Sequence, residues 1–430
     1  MGLLACAVVR PARADEPRKE PAPISGVETP AEEEGDAGKD FGNAVLWLPR
    51  HVLKFLYLGT TTAVAVLDNS PVVPQVQEVF STDDGHIYVL PTLAETGNAV
   101  SVGARLIIDL DLLASSVRVG FGGVDSIELE SRVALRFAAP LPSILSFEAL
   151  YKRDDQLEYA GLGQVPEEDP RNRFRPGQEG QIPEYFEERT RGIMTYAIRP
   201  QKYVEVATSI SLNRRSFSLG GADPSLADVF EAGTIPGDLE RYTNLYGELT
   251  ARFDTRPTRG KPSPGELAEG YFGPGSTLEE ADTEYLRYGG RVAGFVPIYR
   301  TTNIFSPQLV ADGLAPLGDG ELPFSELTHQ PDFRGLDTRR DLVSLVGTLE
   351  YRWLFVSQLA MRVFFDAAVV APSWDAFHFE DARWATGLML DMHSNQTQLG
   401  QLGFSIGPDG ARALVSVGIS SGYGDRQHED

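Results

Sequence analysis

From residue 86 onward apolar and polar residues alternate with a period of two. Across 126–137, Ile127, Leu129, Val133, Leu135 and Phe137 share one face, broken only by Ser131. Glu128, Glu130, Arg132, Ala134 and Arg136 share the other. Further on, Val204, Val206, Thr208, Ile210 and Leu212 oppose Glu205, Ala207, Ser209, Ser211 and Asn213. Leu359, Met361, Val363, Phe365 and Ala367 oppose Gln358, Arg362, Phe364 and Asp366. One such strand suits any half-buried sheet. Repeated charged faces backed by branched and aromatic ones predict a sheet with lipid outside and water inside. In lipid only a closed sheet satisfies every backbone group. The expected fold class is all-β, a transmembrane antiparallel β-barrel.

The alternation predicts strands near 86–92, 97–109, 114–122, 125–138, 142–153, 188–199, 202–214, 243–256, 266–274, 284–298, 302–312, 342–354, 357–371, 383–393, 396–407 and 411–423. That makes 16 strands, an even number as single-chain bacterial barrels have. Long connections follow the fifth, seventh and eleventh strands, at 154–187, 215–242 and 313–341. Tight turns follow the fourth, sixth and twelfth, at Pro140-Leu141-Pro142, Pro200-Gln201 and Leu354-Phe355. The one longish even connection is 257–265. Alternating lengths predict extracellular loops at one end and periplasmic turns at the other.

The region before the strands reads differently. Residues 1–14 carry a short apolar run ending in Ala12-Arg13-Ala14, expected to be a signal peptide whose true start lies upstream. Residues 15–40 are acidic and Pro/Gly-rich, a linker without enough hydrophobes to order itself. Within an N-terminal helical segment at 41–85, residues 41–58 read as an amphipathic helix. Its Val45, Leu46, Leu48, Leu53, Phe55 and Leu56 are set against Arg50 and Lys54. The barrel is expected over 86–424, with a polar tail at 425–430. Nowhere do about 20 unbroken apolar residues offer a spanning helix.

Composition narrows the options. A formal net charge of −23 excludes nucleic acid as a partner, since phosphate binding needs a basic face. The single cysteine, Cys6, excludes a disulfide framework. A mean hydropathy of −0.18 fits a barrel, which turns only alternate residues to lipid.

Candidate chemistry is sparse. Gly403-Phe404-Ser405-Ile406-Gly407 matches the serine-hydrolase string, but it lies on an expected strand rather than at a strand–turn–helix elbow. Histidines 51, 86, 329, 378, 393 and 428 show no metal-ligand spacing. Adjacent His393 and Ser394 would point to opposite faces of a strand and cannot pair. The run Glu167-Glu168-Asp169 reads as solvated loop charge. No catalytic residue, metal or cofactor is expected, and the chain is not expected to be an enzyme.

In the C-terminal third, Glu321 to Leu327, then Phe333-Arg334-Gly335-Leu336, Glu350-Tyr351-Arg352 and Phe364-Phe365-Asp366-Ala367-Ala368 occur in that order. Tyr159-Ala160-Gly161-Leu162-Gly163 adds an aromatic-x-Gly-x-Gly segment, and Trp47-Leu48-Pro49-Arg50 a lead-in helix. This order resembles the bacterial surface antigen family, the 16-stranded barrels of the BamA/TamA type. The resemblance implies that the loop between strands 11 and 12 folds into the lumen. Its docking motif would be Phe333, Arg334, Gly335 and Leu336. Phe364, Asp366 and Ala368 on strand 13 would be the acceptor, with Glu350, Arg352 and Arg362 extending a lumen network. Phe333 and Leu336 swap the usual apolar and aromatic flanks, and Ala368 stands where the family has glycine. Polypeptide-transport-associated (POTRA) domains do not fit before residue 86.

Two functions compete on this reading. One is an assembly factor that inserts or translocates a polypeptide or lipid, through an openable seam between strands 1 and 16. The other is a passive pore or structural surface antigen. Expected partners are outer-membrane lipid and lipopolysaccharide, the barrel-assembly machinery for its own insertion, and an unknown polypeptide or lipid substrate. The expected location is the bacterial outer membrane.

Overall fold

A computed structural model describes residues 86–417, apart from short breaks at 97–98, 124–125, 139, 219–223, 238–240, 258–262, 279–282, 299–300, 319, 329, 331, 337, 357–358 and 394–397. All of these belong to one compact unit, Gln75–Asp430. The expected signal peptide, acidic linker, amphipathic helix and polar tail lie outside the described residues, as does His329.

Sixteen long strands follow one another: β1 Ile87–Thr96, β2 Ala99–Asp109, β3 Leu113–Gly123, β4 Ser126–Phe137, β5 Ser143–Glu158, β6 Glu184–Gln201, β7 Val204–Ser218, β8 Arg241–Asp254, β9 Gly265–Leu278, β10 Glu284–Pro297, β11 Asn303–Pro316, β12 Val343–Val356, β13 Leu359–Ala371, β14 Arg383–His393, β15 Gln398–Gly407 and β16 Gly410–Val417. Each pairs antiparallel with the next, making one large sheet. Among the described residues β1 also meets β16, at Leu93↔Val417 and Ala94↔Ser416. No described helix is long and apolar enough to cross a membrane.

The two faces of the sheet invert the usual distribution. Leu129, Phe147, Leu249, Val292, Leu349, Phe365 and Phe404 are exposed, while Glu148, Arg191, Glu205, Glu248, Glu350 and Asp391 are buried. A water-soluble fold hides the first group and solvates the second. The alternation in the sequence assigns these faces correctly.

Strand lengths depart from expectation at one end only. β5 and β6 remain paired through Leu157↔Tyr185 and Glu158↔Glu184, so the predicted loop 154–187 loses residues from both sides. β7, β9 and β11 likewise run on to Ser218, Leu278 and Pro316. In the β5 extension, Asp154, Asp155 and Gln156 put polar side chains on both faces. That erases the period-two signal although the backbone ladder continues.

The long connections are not open loops. Tyr159, Phe174, Leu226, Val229, Phe230, Ile235, Leu322, Phe324 and Leu327 come from all three, and they join Tyr185, Phe217, Tyr242 and Tyr285 of the strands in one apolar cluster. Phe324 is its hub, with ring centroids 5.0 Å from Tyr159, 5.2 Å from Tyr185 and 5.4 Å from Phe217. A helical turn at Leu226–Val229 buries both end residues there. The first and third connections also share a two-stranded parallel ribbon, Gly161–Leu162 against Arg339–Arg340. Gly161 and Gly163 have φ of 120° and 82°, where a side chain is strained. At Gly163 an added Cβ would lie 2.4 Å from an Asp169 carboxylate oxygen.

Candidate functional site

β12 and β13 carry alternate carboxylates and arginines on the enclosed face, and the connection after β11 delivers one more arginine onto them. Arg334 donates from Nε to Asp366 at 2.8 Å and from Nη2 to the other carboxylate oxygen at 2.7 Å, a bidentate fork. Its backbone N–H also donates to Asp366 at 3.1 Å, and Thr348 Oγ1 donates to the same carboxylate at 2.9 Å. Nη1 of Arg334 reaches Glu350 at 2.5 Å. The guanidinium lies 3.7 Å from the centroid of the Phe364 ring, a cation–π contact on its remaining face.

Neither carboxylate touches water: Asp366 and Glu350 side chains are 0% and 1% exposed. Buried charge of this kind is tolerable only when paired. Arg352 donates to Glu350 at short range, and Arg362 approaches it at 3.6 Å. Arg362 continues to Asp391 on β14 and to Gln401 on β15, the latter at 2.6 Å. Three arginines thus meet three carboxylates over β12, β13 and β14, so the cluster is neutral as a whole.

The residues of the expected docking motif, acceptor and lumen network fall in or beside this cluster. Phe333 is buried against Val346, Ala368 and Ala385, so its ring packs onto the alanine of the expected acceptor segment. Gly335 has no room for a side chain, because an added Cβ would meet the Phe333 ring at 2.5 Å. Leu336 lies 3.7 Å from where a Cβ on Gly410 would sit.

A single Arg–Asp contact is too simple a picture. Ser405 Oγ donates to the Arg334 carbonyl at 2.5 Å, and Arg412 Nη1 donates to the Gly335 carbonyl at 3.1 Å. The motif is therefore held by β12, β13, β15 and β16 together. Ser405 is the serine of the hydrolase-like string, and here it fixes a backbone carbonyl. Alternation alone puts Gln401 and Ser405 on one face of β15, which was the available signal for their involvement.

The expected solvated run Glu167-Glu168-Asp169 needs a correction. Glu167 and Glu168 are exposed, but Asp169 accepts from Arg171 Nη2 at 2.6 Å, and Arg171 also reaches Asp341 at 2.7 Å. Burial works against the Asp169 carboxylate, yet the Arg171 hydrogen bonds outweigh it and hold its pKa below the usual carboxylate value. From the same connection Gln164 crosses to the far wall. It accepts from the Val370 N–H at 2.8 Å and donates to the Asp381 carbonyl at 2.9 Å.

No family model matches the chain, and no curated protein is similar to it. Among solved structures, the fold is similar to that of BamA from Haemophilus ducreyi lacking POTRA domains 1–3. Identity is 13%, coverage is 77% of this chain and 68% of that chain, and the TM-score is 0.51. CdiB from Acinetobacter baumannii is also matched, at 9% identity, 77% of this chain, 58% of that chain and a TM-score of 0.44. With BamA the chain thus shares an all-β fold built on one large antiparallel sheet.

Proposed function

We propose that the sheet closes as a 16-stranded transmembrane barrel in a bacterial outer membrane. Its role is that of an assembly factor, which inserts or translocates polypeptides or lipids. The exposed apolar face supports the membrane assignment, because lipid is the solvent that suits it. The observation that carries the functional reading is the docked loop. Arg334 binds carboxylates of β12 and β13 while the carbonyls beside it are held by β15 and β16. The loop thus braces the last strands against one another from within, next to the β1–β16 contact. A seam that opens on one side needs such a brace if the rest of the wall is to keep its shape.

The rival reading, a passive pore or surface antigen, draws support from the apolar cluster of the three long connections. A barrel filled at one end in that way conducts little. Two measurements separate the readings. The protein in liposomes is expected to speed insertion of an unfolded second outer-membrane barrel, and equal rates with empty liposomes would reject the assembly role. Single-channel conductance is expected to rise when residues 319–337 are removed; an unchanged conductance would show that the loop neither plugs nor shapes the lumen.

A further inference from the structure

A second site, a half-open pocket, lies away from the Arg334 cluster, between β5, β6, β7, β8, β10 and the connection after β11. It is a cavity of 280 Å³, whereas a single water needs about 10–15 Å³. Six cations line it: Lys152, Arg189, Arg191, Arg215, Arg287 and Arg340. Three carboxylates share the lining, Asp154, Glu187 and Glu326.

The arrangement of these cations is unusual in register. Lys152 of β5 stands directly opposite Arg189 of β6, and Arg189 stands directly opposite Arg215 of β7. Adjacent strands are about 4.8 Å apart, so three like charges form one row across the sheet. Like charges directly opposite each other destabilise a sheet. Carboxylates offset part of this: Lys152 lies 3.1 Å from Asp154, and Arg215 lies 3.0 Å from Glu187 and 3.3 Å from Glu326. At the centre of the row, Arg189 Nε donates to the amide oxygen of Asn213 at 3.0 Å, and Glu187 attracts the same guanidinium. Arg191 and Arg287 draw on Glu148 and Asp312, which stand outside the lining.

We propose that this cavity binds a phosphate-type oxyanion, seated on the Lys152–Arg189–Arg215 row with Arg340 closing over it from the connection above. The row favours phosphate over carboxylate. A tetrahedral anion offers acceptors in several directions to donors on three strands, whereas a carboxylate offers one plane. The same chemistry is presented by free inorganic phosphate and by the head group of a phosphorylated lipid.

The test uses the full chain refolded in a maltoside detergent, in phosphate-free buffer. Equilibrium dialysis with radiolabelled inorganic phosphate is expected to show one saturable site per chain. Arg189→Gln and Lys152→Gln should each weaken it about tenfold, the loss of one charge-assisted contact. Arg136→Gln, in an ion pair with Asp109 outside this cavity, should leave it unchanged. A short-chain phosphatidate below its micelle concentration separates the two sources. Competition with phosphate assigns a lipid head group, and phosphate binding without competition assigns a free solute. Should the variants fail to fold, the unmodified protein still decides: phosphate must raise its thermal midpoint above that in chloride of equal ionic strength. Absence of saturable binding, an affinity in folded Arg189→Gln and Lys152→Gln equal to that of the unmodified protein, or equal midpoints in the two salts would overturn the site.

Discussion

The wall from β5 to β13 and the wall made by β1 to β4 with β16 rest on the same alternation but are finished differently. β6 has 18 residues and β5 has 16, whereas β1 has 10 and β2 and β3 have 11 each. At about 3.3 Å per residue the tall side reaches nearly 60 Å along a strand and the short side about 33 Å at β1. Crossing a bilayer takes about 9–11 residues, so the short side has little to spare. Ion pairs on the short side stay among β2, β3 and β4: Arg105 reaches across β3 to Glu130 and Arg118 pairs with Glu128, each at 3.1 Å. On the tall side the connections fold back and add an apolar cluster and a buried charge network. The stability of the molecule is therefore concentrated away from β1 to β4.

The largest expected effect tests that concentration directly. Arg334→Ala leaves Asp366 and Glu350 buried with one cation fewer, and should cost about 3–5 kcal/mol in urea unfolding. It should also expose 313–341 to protease. Asp366→Ala should cost less, because Glu350 still holds the guanidinium. The double variant should fall short of the sum of the two, since sites in one network are coupled. Additive losses would show that the residues act independently.

Phe324→Ala comes next. Removing the hub ring of the apolar cluster should cost about 3 kcal/mol, with cleavage spreading to all three long connections. Cleavage confined to 317–338 would mean the connections are not one unit. On the short side Arg105→Gln should cost about 1 kcal/mol or less. A loss as large as that of Arg334→Ala would erase the contrast between the two walls.

The smallest effect concerns pH. The Asp169 pKa is depressed in the folded protein, so its contribution is present above the unfolded value of about 3.9 and is lost as pH falls through the lower folded value. Protease cleavage near 164–172 should rise on acidification through that window. Asp169→Asn should flatten the response.

Much of this was legible in the chain. Strands such as β4, β7 and β13 make one face apolar and the other polar or charged, so their position and orientation follow from period two. The Arg334–Asp366 contact required a motif, because one arginine in a long connection carries no periodic signal. The apolar cluster went unread for the same reason. Phe174, Phe230, Ile235 and Phe324 sit in aperiodic stretches rich in proline, glycine and charge, which look solvated until the connections are brought together. Their aromatic content was the one available hint. Ser405 was visible but suggested a hydrolase motif, although its strand context pointed instead to a structural role.

The bond from Gln164 to the far wall bears on how the molecule forms. Its two partners lie 206 and 217 residues further along the chain. Contacts of such separation carry a loop-closure cost that nothing local repays, and they slow folding. The Gly161–Leu162 ribbon waits in the same way for Arg339–Arg340. Neither can form until most of the strands have been made and paired, so closure of this end is a late event. Until then Tyr159 and Leu162 must remain solvated or be shielded by another protein, a vulnerable interval set by the order of the chain itself.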